Sequence, residues 1–157
     1  MQTPINALST EQPENTIPEE FLCPITLDIM LEPMLVTSSG HTYEGEIIKE
    51  ALAKDARDPL TRLPASTLEL VPNRALKSAI ERWLKEHPQC SDKEFIAAVA
   101  AIESRNLQQI ERFLKLGANI EAKNSNGETP LLLATEGLVH ILSTELIKLL
   151  LKYKANP

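Results

Sequence analysis

The C-terminal part of the chain repeats itself, and this constrains the fold more than any other feature of the sequence. Ile110, Phe113-Leu114 and Gly117-Ala118-Asn119 recur 37 residues on as Ile147, Leu150-Leu151 and Lys154-Ala155-Asn156. A repeat of this length is one supersecondary unit, which buries its apolar face only by stacking on a neighbour. The Ile-x-x-Phe-Leu spacing puts the apolar positions on one helical face. Between the copies lies Asn126-Gly127-Glu128-Thr129-Pro130-Leu131. There Asn-Gly makes a turn, Thr129 can cap, and Pro130 suits a first helical position because its missing N–H is not needed. Upstream, Ser91-Asp92-Lys93-Glu94 has the form of a capping box opening a helix through the apolar run from Phe95 to Ile102. The tail, residues 91–157, is therefore predicted to be stacked helices joined by hairpin loops, with an insertion in 137–144 that lengthens the period.

The preceding segment is built differently. Leu35-Val36-Thr37, Ser38-Ser39-Gly40 and His41-Thr42-Tyr43 predict a hairpin with glycine at the turn. Ile47, Ile48, Ala51 and Leu52 share one face of a helix over about 44–54. Prolines punctuate a loop from Asp58-Pro59 to Leu63-Pro64. Asn73 can cap a second helix whose buried stripe is Leu76, Ile80, Trp83 and Leu84, with Pro88 ending it. Residues 1–16 are polar and aperiodic, and read as a disordered leader. The expected division is a leader at 1–16, one domain at 17–88 and the repeats at 91–157.

Composition excludes several classes of function. A net charge of -6 argues against general affinity for nucleic acid. No apolar run approaches the roughly 20 residues of a membrane span, and the N-terminus lacks the basic and apolar regions of a secretory signal. The 2 cysteines, Cys23 and Cys90, are far apart and make no disulfide framework, so a reducing cytoplasm fits best. The 3 histidines, His41, His87 and His140, have no cysteine or serine partner suggested by the sequence. No nucleophile–base–orienter constellation is visible.

Within 17–88 the motifs Cys-Pro-Ile-Thr at 23–26, Glu32-Pro33, Ser-Gly-His-Thr-Tyr-Glu at 39–44, Asp-Pro-Leu-Thr-Arg at 58–62 and Val-Pro-Asn-Arg-Ala-Leu at 71–76 follow one another in order. This series resembles the U-box family over nearly the whole segment, and ordered matches of that number are far more specific than any single short motif. The resemblance implies an α+β fold: a small RING-like domain without zinc, followed by the helix-and-hairpin repeats. The ligand positions of a RING would fall at Cys23, Thr26, Ser39, His41, Glu44, Ile47, Asp58 and Thr61. Only Cys23 and His41 suit zinc, and the cross-braced RING pattern assigns them to different sites, so neither could close. A buried polar network in place of the metal is expected, with Cys23 as core packing, His41 as a structural hydrogen-bonding residue, and no cofactor.

The resemblance also implies a function. U-box domains act as ubiquitin ligases: they dock a ubiquitin-conjugating enzyme charged with ubiquitin and position its thioester, forming no covalent intermediate of their own. The docking groove would comprise Ile25 and Leu27 in a first loop, Ala51 in the helix between, and Pro64 in a second loop. Arg62 matches the basic residue that bridges conjugating enzyme and ubiquitin, a task suited to a planar group with several fixed donors. Its other reading is a surface arginine paired with a carboxylate such as Glu44 or Asp58. Ala51 and Ala65 are smaller than the residues many relatives carry, which bears on partner choice.

The tail resembles ankyrin repeats, about two of them, over residues 92–157. Thr-Pro-Leu-Leu at 129–132 departs from the usual Thr-Pro-Leu-His, and Arg105 stands where glycine is common. The pattern stops partway through a unit, as expected of a piece of a longer protein. Ankyrin surfaces bind proteins, so a protein substrate is expected on Lys123-Asn124-Ser125-Asn126 and the start of the 130–136 helix. The halves would then be separable in function. A non-catalytic interaction scaffold is the alternative class, and a bacterial effector acting in host cytoplasm is a further origin that the sequence leaves open.

Overall fold

The turn residues of the N-terminal half place three short strands against two helices. The structure is a computed structural model describing residues 16–64, 69–101, 106–136 and 141–153. Strand β1 (Pro33–Val36) pairs antiparallel with β2 (His41–Glu44) in the register Val36↔His41 and Met34↔Tyr43. Gly40 closes the hairpin at φ 75°, a conformation glycine adopts without strain, and its N–H donates to the Val36 carbonyl at 2.8 Å. The hairpin is the one predicted, with β1 starting two residues earlier, at Pro33. Strand β3 (Leu70–Pro72), unread in the sequence, adds to the other edge of β1 to give the order β2-β1-β3.

Helix α1 (Gly45–Lys54) buries Ile48 and Leu52, while Ile47 and Ala51 are half-buried at the edge of the predicted face. Gly45 allows α1 to start close to the strands: a Cβ there would lie 3.0 Å from Met34 Cγ and 3.1 Å from the Glu32 carbonyl. Helix α2 (Arg74–Glu86) is capped as expected, with Asn73 Oδ1 accepting the Leu76 N–H at 3.1 Å. The Asn73 N–H in turn donates to the Pro33 carbonyl, tying the cap to the sheet. Ile80 and Leu84 are buried. Trp83 is half-buried, edge-on to Phe21 and stacked on His87, whose Nδ1 bonds the Trp83 carbonyl. That places His87 at the C-terminus of α2, just before Pro88.

The junction differs from the sequence reading. Helix α3 (Pro88–Ala100) starts at Pro88, three residues before the apparent capping box. Pro88 fixes φ for a first helical position, and the Ser91 N–H already donates to the His87 carbonyl. Ser91 is a buried residue inside the helix and caps nothing. Pro88 therefore opens α3 as much as it closes α2.

Helix α4 (Asn106–Lys115) buries Ile110, Phe113 and Leu114, the apolar positions of the repeat, and Gly117 follows at φ 92°. The next loop is organised by Asn124, whose Oδ1 accepts the Asn126 and Glu128 N–H groups at 2.9 Å each. Gly127 sits at φ 80° in that turn, and α5 (Pro130–Glu136) starts at Pro130 as predicted. Helix α6 (Ile141–Lys152) buries Leu146 and Leu150. Helix α3 packs on α2, α4 and α5, and α5 packs on α6. Phe21, Val36, Ile48 and Ile80 belong to the same apolar core as Phe95, Val99, Ile110 and Phe113, so the core runs through both halves. The leader (save Thr16), Ala65, Arg105, residues 137–140 of the expected insertion (His140 among them) and the second repeat's Lys154-Ala155-Asn156 lie outside the described residues. The architecture is α+β, as the sequence indicated.

Candidate functional site

Two loops carry the residues that the sequence singled out, and each is braced from behind by a buried carboxylate or thiol. In the second loop the brace is Asp58, 1% exposed. Its Oδ2 accepts the Ser39 hydroxyl at 2.6 Å, and its Oδ1 accepts the Tyr43 hydroxyl at 3.0 Å and the Leu60 and Thr61 N–H groups at 2.9 Å each. Its backbone closes the loop: the Asp58 N–H donates to the Leu63 carbonyl and the Arg62 N–H to the Asp58 carbonyl. Burial alone would push the Asp58 carboxyl up, but the donors from Ser39, Thr61, Tyr43 and Leu60 outweigh it and pull it down to about 2. Tyr43 is driven the other way, far above the usual phenol range, by burial and then by the Asp58 carboxylate it donates to.

Behind the first loop, the Glu44 N–H donates to Cys23 Sγ at 3.4 Å. Glu44 Oε2 accepts the N–H groups of Leu31 at 2.7 Å and Glu32 at 3.1 Å. Thus the positions a RING would give to zinc do converge, Cys23 with Glu44 and Ser39 with Asp58 and Thr61, but they converge through hydrogen bonds. Among the described residues no three of His, Cys, Asp and Glu are grouped as metal ligands. His41 departs from expectation: its Nδ1 is buried with no hydrogen-bond partner among the described residues, and its ring leans on Tyr43. Cys23 and Cys90 are buried thiols, not joined to each other. Burial raises Cys90 above the usual thiol range, with Glu94 adding to it. Excess chelator is therefore expected to leave the melting temperature unchanged; stoichiometric zinc by elemental analysis, lost together with structure, would refute the network as the metal's replacement.

With the backbone so held, the loops present apolar side chains to solvent. The first is a tight turn, with the Leu27 N–H on the Cys23 carbonyl and the Cys23 N–H on the Asp28 carbonyl. It exposes Ile25 by 40% and Leu27, at φ 62°, by 71%. The second exposes Leu60, Leu63 and Pro64. Helix α1 connects the two: its N-cap, Glu44, holds the first loop, and its C-cap, Asp55, pairs with Arg62 in the second. Ala51 lies in the last turn of α1, its carbonyl accepting the Asp55 N–H. Arg62 adopts φ 59° and its Nη2 lies 2.9 Å from Asp55 Oδ2, both side chains largely exposed. Its partner is Asp55, not Glu44 or Asp58. Leu60 and Leu63 went unread because single leucines in an aperiodic, proline-punctuated loop carry no pattern that says which way they face.

In the repeat half, a groove of roughly 590 Å³ runs between α3 and the following hairpin, lined by Asp92, Ile96, Ala100, Lys123, Asn124 and Ser125. It includes part of the loop singled out in the sequence; α3 supplies its other wall, and the start of α5 does not line it. Among the described residues no helix is long and apolar enough to cross a membrane.

A pair of loops braced by hydrogen bonds and set before stacked helices defines the class. Residues 17–89 match the U-box domain family and residues 97–151 match ankyrin repeats. The chain carries a U-box domain followed by ankyrin repeats. It is 44% identical over 70 residues to the chicken WD repeat, SAM and U-box domain-containing protein 1, a match covering 44% of this chain and 14% of that protein. It is 48% identical over 66 residues to the Arabidopsis thaliana U-box domain-containing protein 51, covering 42% and 8%. It is 35% identical over 124 residues to the rice U-box domain-containing protein 12, covering 74% and 20%. The matched stretch thus spans a fifth or less of these relatives' lengths.

Proposed function

We propose that the chain is a ubiquitin ligase of the RING type. In this reading residues 17–88 recruit a ubiquitin-conjugating enzyme and position its ubiquitin thioester, and residues 91–157 hold the protein whose lysine accepts ubiquitin. The observation that carries the reading is the pair of rigidly braced loops exposing Ile25, Leu27, Leu63 and Pro64. Exposed apolar side chains cost solubility unless a partner covers them. Fixing their backbone beforehand lowers the ordering entropy of binding. Ala51 leaves the α1 side of the groove shallow, which bears on which conjugating enzyme fits. Arg62 supplies the bridge to ubiquitin, and the thioester cysteine belongs to the conjugating enzyme. The repeats raise the effective concentration of substrate lysines near that thioester. The groove beside Lys123-Asn124-Ser125 is the candidate substrate surface. Two buried thiols and a net charge of -6 suit a cytoplasmic protein partner better than nucleic acid.

Ile25→Ala and Pro64→Ala test the reading. Each is expected to weaken binding of the conjugating enzyme by about 2 kcal/mol, as truncations at the centre of an interface do, with the melting temperature little changed. Calorimetric titration of the uncharged enzyme measures this. Unfolding by Ile25→Ala would make Ile25 a core residue, and wild-type affinity in both variants would leave the scaffold reading in place.

A further inference from the structure

Arg112 lies in α4, in the repeats, 68 residues from Glu44 in sequence, yet its Nη1 stands 3.3 Å from Glu44 Oε1. Its Nε lies 3.6 Å from Glu32 Oε1, which Lys77 of α2 also holds at 2.7 Å. The two carboxylates flank the end of the first loop. The other oxygen of Glu44 accepts the Leu31 and Glu32 N–H groups, and the Glu32 carbonyl accepts the Gly45 N–H at 2.9 Å. The chain of contacts therefore runs from α4 through one guanidinium and one carboxylate to the backbone at Leu31 and Glu32, where the first loop enters β1, and the Glu44 N–H reaches Cys23 Sγ, two residues before Ile25. The Arg112 and Glu44 side chains are only 26% and 15% exposed, so water and salt screen them less than an ordinary surface pair. Helix α3 approaches the same loop: Cys90, Lys93 and Glu94 line a cleft with Leu22 and Leu27.

We propose that Arg112 is a positioning residue for conjugating-enzyme docking: the ankyrin segment braces the first U-box loop through Glu44, in addition to holding substrate. This rests on the reading of that loop as the docking loop. The brace costs the repeats nothing in substrate surface, because Arg112 belongs to α4 and the substrate groove lies between α3 and the following hairpin. It makes the two halves interdependent, where the sequence suggested that they would work apart.

The test uses the full chain with Arg112→Gln, Arg112→Lys, Glu44→Gln and the Arg112→Gln/Glu44→Gln pair. Two measurements are made: hydrogen exchange at the Leu31 and Glu32 amides, and the kinetics (kcat and KM) of ubiquitin discharge from the charged conjugating enzyme. Arg112→Gln keeps most of the side-chain stem but removes the charge. It is expected to speed exchange at both amides and raise KM about fivefold, the effect of one charge-assisted contact, while leaving kcat nearly unchanged. Arg112→Lys is expected to restore KM in part, and the loss in the double variant to be smaller than the two single losses combined, since Arg112 also reaches Glu32. Wild-type exchange and KM in Arg112→Gln would overturn the proposal. So would additive losses in the double variant, even if Arg112→Gln lowers the melting temperature. Ile25→Ala serves as the control: a raised KM there beside an unchanged one in Arg112→Gln removes the brace and keeps the docking reading. An unchanged KM in Ile25→Ala removes both.

Discussion

Replacing Asp58 with alanine is expected to unfold the N-terminal half at temperatures where the wild-type chain is stable. Four donors converge on that carboxylate: the Ser39 and Tyr43 hydroxyls and the Leu60 and Thr61 N–H groups. An alanine leaves them facing a buried cavity. Each orphaned donor costs about 1–3 kcal/mol, so the sum reaches about 4 kcal/mol or more, a large share of a small domain's stability. Asp58→Asn, nearly the same size, is expected to fall between, since its amide places donors where donors already point. The same network fixes the acid limb. The folded Asp58 carboxyl is held near 2 against an ordinary value of 3.8. Its contribution is therefore fully present above about pH 4 and is lost as the pH falls from there towards 2. That window is worth about 2 kcal/mol. Denaturant melts between pH 7 and pH 2.5 measure both effects. An Asp58→Ala chain melting within a few degrees of wild type, or an Asp58→Asn chain with the same acid slope as wild type, would show that the loop is held by something else.

What the sequence made legible follows from how local each signal is. The hairpin at Gly40, the Asn73 cap and the Pro130 helix start were readable because a turn or cap is specified by a few adjacent residues. The paired RING positions were readable only through the resemblance to the U-box family, which aligns them with a RING's cross-braced ligands. Strand β3 was missed: Leu70-Val71-Pro72 is three residues without alternation and ends on a proline. The start of α3 was misjudged because Ser91-x-x-Glu94 fits a capping box, while Pro88 had already fixed the helical backbone. Tyr43 as a partner of Asp58, Asp55 as a partner of Arg62, and Arg112 on Glu44 are tertiary meetings with no local signature. Leu60 and Leu63 illustrate the same limit for exposure, since hydrophobicity alone does not distinguish core from docking surface.

The other large effect is expected at Arg62. If it bridges conjugating enzyme and ubiquitin, Arg62→Ala slows ubiquitin discharge by roughly ten- to a hundredfold, as expected for loss of a preorganised donor aimed at the reacting conformation, and leaves binding of the uncharged enzyme nearly unchanged. The ground state is consistent with such a split. Arg62 is held by Asp55 at 2.9 Å, but the pair is largely exposed, and such a pair is worth about 1 kcal/mol or less. Asp55 therefore keeps the guanidinium near the second loop without competing strongly with an arriving ubiquitin conjugate. The φ of 59° at Arg62 matters for the choice of variant. Alanine carries the same left-handed backbone strain as arginine, whereas glycine relieves it and mixes a stability gain with the loss of the donor. Lysine keeps charge without the fork and is expected to recover only part of the rate. Asp55→Asn gives a second handle: releasing the guanidinium is expected to change discharge by no more than a few-fold, in keeping with a weak exposed pair. Single-turnover discharge to free lysine, run beside calorimetric binding of the uncharged enzyme, separates rate from affinity. Equal losses in both measurements would make Arg62 an ordinary contact residue, and no loss in either would make its pairing with Asp55 its only role.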